Sequence, residues 1–325
     1  MGQTESVFFT LLKAGLWEQE VNLAPYGTID FDAVYKLAEE QSVIGLIAAG
    51  LEHISDMKVS RNDVLPFLTQ VIVLEQRNAE MNRYIGKLVA NLRKKGIQAL
   101  LVKGQGVAQC YTRPLWRASG DIDLLFDANG YEQAKSFLCP LASIIDMEGV
   151  EEKHQGITID GFAVELHGTL NFGLSRRVDK LMAQVQYQVC NFGAARAWYI
   201  NETHTDVLLP APDADILIIF THFLRHFYKG GIGLRQICDW CRLLWTYRET
   251  INIRLLKEKL TAAGLESEWK AFAAYAVDYL GMLEEAMPLY ENKSKWHRKA
   301  NKLNMFILKS GNFGHNIKFY GLCQF

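Results

Sequence analysis

LVKGQGVAQCYTRPLWRASGDIDLLF, residues 101–126, is the stretch on which the reading of this chain turns. Its first residues close the apolar run IQALLVKG (97–104), which a glycine ends, as expected of a buried strand. A loop or short helix follows to about Ser119, and DIDLLF (121–126) then reads as a second strand. Successive strand side chains point to opposite faces, so Asp121 and Asp123 share one face while Ile122, Leu124 and Phe126 enter apolar packing on the other. Two carboxylates so close repel each other unless protons or a cation intervene. An oxygen-preferring divalent ion is the natural partner, Mg2+ first and Mn2+ second. The plain alternative is a strand that begins at the surface with two solvated acids. Short Asp-x-Asp motifs are common by chance, and the spacing alone does not decide.

Downstream, GITI, Asp160-Gly161 and FAVELH form a hairpin signal, because Asp-Gly suits the tight turn that needs positive φ at both central residues. Within FAVELH, Glu165 shares a face with Ala163 and His167, and Phe162, Val164 and Leu166 face the other way. If this strand lies beside DIDLLF, Glu165 becomes a third acid. Three converging carboxylates can hold two metal ions and activate a hydroxyl for in-line attack at phosphorus. His167 is placed to orient an acceptor or a phosphate; the bland reading makes it a hydrogen-bonded filler at a strand end. Upstream, Lys103-Gly104 ends a strand where backbone N–H groups can cradle phosphates and Lys103 can add charge. Arg117 is a second candidate for phosphate charge.

The flanks read as helical. Residues 31–53 follow a cap at Asp30 and repeat apolar residues at three and four, which predicts one helix. A long helix over about 66–95 places Met81, Ile85, Leu88 and Leu92 on one face. It ends with Arg93, Lys94 and Lys95 before Gly96, cations and a glycine that suit the negative helix end. YEQAKSFL (131–138) predicts a helix inside the mixed region. Beyond Pro210 and Pro212, ADILIIFTHFLRHF, LRQICDWCRLLWTY and a stretch over 253–287 return to helix. The chain is therefore α+β, with an N-terminal helical region (1–84), a mixed core (85–205) and a C-terminal helical region (206–325).

Three features of the last region compete with the acidic strands. His222 and His226 have zinc-protease spacing, but HFLRH lacks the glutamate after the first histidine. A structural role, or a wall of the acceptor cleft, fits better. Arg235 and Asp239 are four apart and predict a pair along a helix; the functional alternative points Arg235 into the cleft toward an anionic substrate. The glycines of 230–233 do not follow a strand, which disfavours dinucleotide binding. Trp240, Trp245, Trp269 and Trp296 read as helix-packing residues.

Composition narrows the partners. Thirty-five Lys and Arg against 36 Asp and Glu give a net charge of -1, without the basic excess expected of a protein that grips long nucleic acid. Of the six cysteines only Cys238 and Cys241 form a Cys-x-x-Cys, and with no second pair on an amphipathic helix they read as buried thiols. The first residues, MGQTESVFFTLLKAG, do not read as a signal peptide, and no apolar run approaches the roughly 20 residues that span a bilayer. A reducing cytoplasm is the expected location. The closing GNFGHNIKFYGLCQF has no clear finishing element, which leaves a shortened chain open.

These residues also carry a resemblance. LVKGQGVAQCYTRPLWRASGDIDLLF is similar to the signature of the uncharacterised nucleotidyltransferase family within the DNA polymerase β-like superfamily. There a Lys-Gly strand end leads through a Tyr and an Arg to Asp-Ile-Asp-Leu-Leu. VELH (164–167), THFLRHFYKGGIGLRQICDW (221–240) and LAEEQSVIGLIAAGL (37–51) resemble further segments in the same order. The resemblance implies a polymerase β-like core with a small mixed sheet, and Asp121, Asp123 and Glu165 as catalytic, metal-binding acids. The reading of the residues adds a nucleotide-binding side at Lys103, Gly104, Arg117, Ser119 and Gly120, with His167, His222 and Arg235 toward the substrate. The implied reaction moves a nucleoside monophosphate from a nucleoside triphosphate to an unidentified, small acceptor with Mg2+. One departure stands out: Gly104-Gln105 replaces the usual Gly-Ser or Gly-Gly, and the gap to Asp121 is longer. That keeps open a catalytically inactive nucleotide- or partner-binding protein on the same fold, and a metal-dependent phosphohydrolase.

Overall fold

A computed structural model of the protein describes residues 2–149, 153–191 and 195–311. The closing stretch beyond residue 311 therefore lies outside the described residues. Four helices come first: α1 (Gln3–Trp17), α2 (Phe31–Glu40), α3 (Ile44–Glu52) and α4 (Arg61–Lys94). The middle of the chain holds β1 (Leu100–Val102), α5 (Gly104–Ala108), β2 (Ile122–Leu125), α6 (Ala128–Leu138), β3 (Ile144–Ile145), β4 (His154–Ile159) and β5 (Phe162–His167). Then come α7 (Arg176–Asn191), β6 (Ala195–Ile200) and β7 (Thr205–Pro210). Five helices follow: α8 (Pro212–Lys229), α9 (Leu234–Tyr247), α10 (Ile253–Ala263), α11 (Glu266–Leu280) and α12 (Ser294–Ser310).

The described strands form one mixed sheet in the order β3-β4-β5-β2-β1-β7-β6. β1 runs antiparallel to β2 and parallel to β7, and β2 runs parallel to β5. The β4–β5 hairpin turns at Asp160 (φ 52°) and Gly161 (φ 82°), the two positive-φ positions the Asp-Gly pair predicts.

Strand alternation sorts the sheet into two faces. Ile122, Leu124, Phe126, Val164 and Leu166 join the second half of α4 and α6 in one buried cluster. Leu100, Val102 and Leu125 face a larger cluster shared by α1, α3 and α7 to α9. The acids occupy this second face, where the sheet meets α8 and α9.

Several expectations need correction. The 31–53 stretch is two helices, because Ser42 adopts a positive φ of 56° and separates α2 from α3. The break has a tertiary cause. Gln41 is buried there and clamps two distant elements, donating to the Ile307 carbonyl (3.2 Å) and accepting from the Leu234 amide (3.1 Å). The 253–287 stretch is likewise two helices, parted at Gly264 in the left-handed region. The long helix begins earlier than expected, where the Ser60 side chain caps it at Asp63. α8 starts at Pro212, a position that needs no backbone donor. Cys238 and Cys241 are fully buried in apolar packing, as are Trp240 and Trp269. No helix among the described residues is long and apolar enough to cross a membrane.

Candidate active site

Asp121 immediately precedes β2 rather than lying within it, and Asp123 is the second residue of the strand. Parallel pairing sets Asp123 directly against Glu165. One oxygen from each of Asp121, Asp123 and Glu165 lies within 4.8 Å of the others. The expected convergence of three acids is therefore made, through adjacent strands as the alternation required.

The 17-residue excursion from Gly104 to Gly120 folds back on itself. Gly104 takes a φ of 43°, and a side chain there would lie 3.5 Å from the Asp121 carbonyl. The strand end and the acidic strand thus touch in spite of the long gap. Gln105 is buried beneath them and donates to Asn78 Oδ1 (2.8 Å) and Ser119 Oγ (3.1 Å). Ser119 also donates to Asn78. Its hydroxyl is engaged in this network, and Gly120 beside it lines the cavity.

A second correction concerns Arg117 and Asp239. The predicted Arg235–Asp239 helix pair gives way to a buried, two-pronged pair in which Arg117 Nε and Nη2 donate to Asp239 Oδ1 (2.7 Å) and Oδ2 (2.6 Å). Tyr111 adds a hydrogen bond to Asp239 (2.8 Å). Arg117 is therefore consumed in fastening the excursion to α9. Arg235 is left to face the cavity; it donates to the Ala118 carbonyl (2.9 Å), and its buried Nε has no hydrogen-bond partner among the described residues.

Basic groups are interleaved with the acids. Lys103 Nζ lies 2.5 Å from Asp123 Oδ1, so its charge is already engaged by an acid. His167 Nε2 lies 2.8 Å from the same oxygen and 3.4 Å from Glu165 Oε2. His154 Nε2 reaches Glu165 Oε2 as well, at 3.2 Å. His222 Nε2 sits 3.3 Å from Lys103 Nζ and 3.1 Å from His226 Nε2, which places both histidines in the cleft wall.

The proton affinities follow this arrangement. The Asp123 charge and then burial push the Asp121 carboxyl up to about 6. Burial favours the neutral acid at Glu165 too, but hydrogen bonds from His154 and His167 overcome it and hold Glu165 well below the usual carboxylate range. Burial and the nearby Lys103 charge keep His222 neutral, and the same two causes lower His226 to about 4.

Together these residues line an open cavity of about 620 Å³, a usual size for a small-molecule site. α8 presents His222, Arg225, His226 and Lys229 along one face of it. Sequence reading missed three contributors. Arg225 and Lys229 stand three and seven residues after His222, a spacing legible once His222 was placed in the cleft. His154 is found by counting back from the Asp160-Gly161 turn, which sets it opposite His167.

A family model described as uncharacterised nucleotidyltransferase matches residues 27–281. The chain belongs to this family. The matched span includes every strand of the sheet, the three acids and the α8–α9 wall. Membership in a nucleotidyltransferase family supports nucleotidyl transfer as the general class of activity. No curated protein and no solved structure matches the chain.

Proposed function

We propose that the protein moves a nucleoside monophosphate from a nucleoside triphosphate to a small acceptor, using a divalent ion held by Asp121, Asp123 and Glu165. The observation that carries this reading is the convergence of those three carboxylates at the wall of an open cavity. The donor set fits Mg2+ or Mn2+, because it is made of oxygens whose mutual repulsion already holds Asp121 at about 6. When bound, the ion would neutralise phosphate oxygens and favour in-line departure of pyrophosphate.

The chain's own side chains have separable tasks. Glu165 is kept ionised by two imidazoles, and its weakened basicity suits it to holding a cation better than to taking the acceptor's proton. Arg225, Lys229 and Arg235 face the acids across the cavity and would carry the phosphate contacts first assigned to Lys103 and Arg117. Lys103 would balance the acids instead, and Gly104 and Gly120 would admit the nucleotide close to the backbone. His167 and His222 would border the acceptor.

A pyrophosphate-release assay with Mg2+, each nucleoside triphosphate and a panel of hydroxyl and amine acceptors tests this. Acceptor-dependent pyrophosphate, lost in Asp123→Asn, is the expected result; orthophosphate without acceptor modification would instead indicate a phosphohydrolase. A second reading, a non-catalytic nucleotide binder, is favoured by the Lys103–Asp123 contact and by Gln105 turned away into the Asn78 network. Mg2+-dependent nucleotide binding with no turnover under every condition is the outcome that reading predicts.

A further inference from the structure

We propose that His154, Glu165 and His167 form a second cation position, one that takes a nitrogen-accepting divalent ion of the first transition row. This rests on the acidic-site reading through Glu165, which the two positions share, and through His167, whose Nε2 also lies 2.8 Å from Asp123 Oδ1. The hairpin register pairs His154 with His167 and pairs Gly156 with Glu165, so the three functional side chains rise from one face of two neighbouring strands. Both imidazole Nε2 atoms approach the same oxygen, Glu165 Oε2, at 3.2 and 3.4 Å. The rings stand 4.9 Å apart at a 49° tilt, and one ligand atom from each of the three residues lies within 4.8 Å of the others.

Two imidazoles and a carboxylate are a known donor set for catalytic zinc and for open-sided iron sites, whereas Mg2+ prefers oxygen alone. The ligands are also reachable. All three line the cavity, with side-chain exposures of 36% for His154, 32% for Glu165 and 12% for His167. Coordination positions are thereby left for water or for an oxygen of the acceptor. The competing account is that the imidazoles only orient Glu165 by hydrogen bonding. It predicts no metal affinity.

Zn2+ alone is the probe. The full chain, free of nucleotide, is titrated with Zn2+ by calorimetry, and the zinc-loaded protein is read by X-ray absorption at the Zn edge. One bound ion with two imidazole ligands is expected. His154→Ala should weaken it at least tenfold or so, the least that losing a direct ligand costs when outer-shell losses cost about that much; His167→Gln serves if His154→Ala does not fold. No Zn2+ uptake, an all-oxygen shell, or binding that ignores both substitutions overturns the proposal. Mg2+-nucleotide binding by the wild type is measured on separate samples, so the acidic-site reading stands or falls on its own result.

Discussion

At the residue scale, Asp121 and Asp123 set like charges side by side, and the repulsion has a measurable consequence. Asp121 has its folded value raised from 3.8 to about 6, so ionising it costs the folded state free energy that the unfolded chain does not lose. The favourable difference is present below pH 4 and is lost as pH rises through about 6. Asp121→Asn should therefore stabilise the metal-free protein by roughly 1–3 kcal/mol above pH 6 and by little below pH 4, read by urea denaturation in chelator at both pH values. Asp239 gives a second prediction. Replacing it by Ala strands the buried Arg117 guanidinium, and a loss of about 3–5 kcal/mol is expected in the same assay. The acids were legible in the sequence because alternation fixes which side chains share a face. The partner of Arg117 was not, since 122 positions separate it from Asp239 and an equally good local partner, Arg235, lay four residues away.

At the element scale, the hairpin carries the site, because its register brings Glu165 to Asp123 and His154 to His167. Gly161→Val places a β-branched residue at φ 82° and should destabilise the protein by more than about 1 kcal/mol, with His154 and Glu165 displaced relative to β2. Denaturation and the histidine NMR shifts check this together. The hairpin, α4, α8 and α9 were readable because turn chemistry, capping and periodicity all agree in them. β6 was not read as a strand; it lies at the sheet edge and has only one fully buried residue, so no alternation marks it. The α2–α3 break was hidden for the opposite reason. Apolar spacing continues through it, and only the contacts of Gln41 with residues near 234 and 307 require the chain to bend.

At the scale of the molecule, the near-neutral chain concentrates its functional charge in one cavity, acids on the sheet and cations on α8 and α9. A ligand bridging these walls ties the sheet to the C-terminal helices and should raise global stability by about 2.7 kcal/mol at a hundredfold excess over Kd, seen as a nucleotide- and Mg2+-dependent rise in Tm. The α+β class followed from the sequence. Of the cationic wall only Arg235 was read from the sequence; Arg225 and Lys229, on the same helix as His222, were missed. The most direct measurement is calorimetric titration of the wild type and of Asp123→Asn with a non-hydrolysable nucleoside triphosphate, each with and without Mg2+. Saturable binding that requires Mg2+ and disappears in the variant is the predicted result. Binding that persists without Mg2+ or in Asp123→Asn, or no binding by the wild type of the non-hydrolysable analogue of any common nucleoside triphosphate, would contradict a metal-dependent nucleotide site at the three acids.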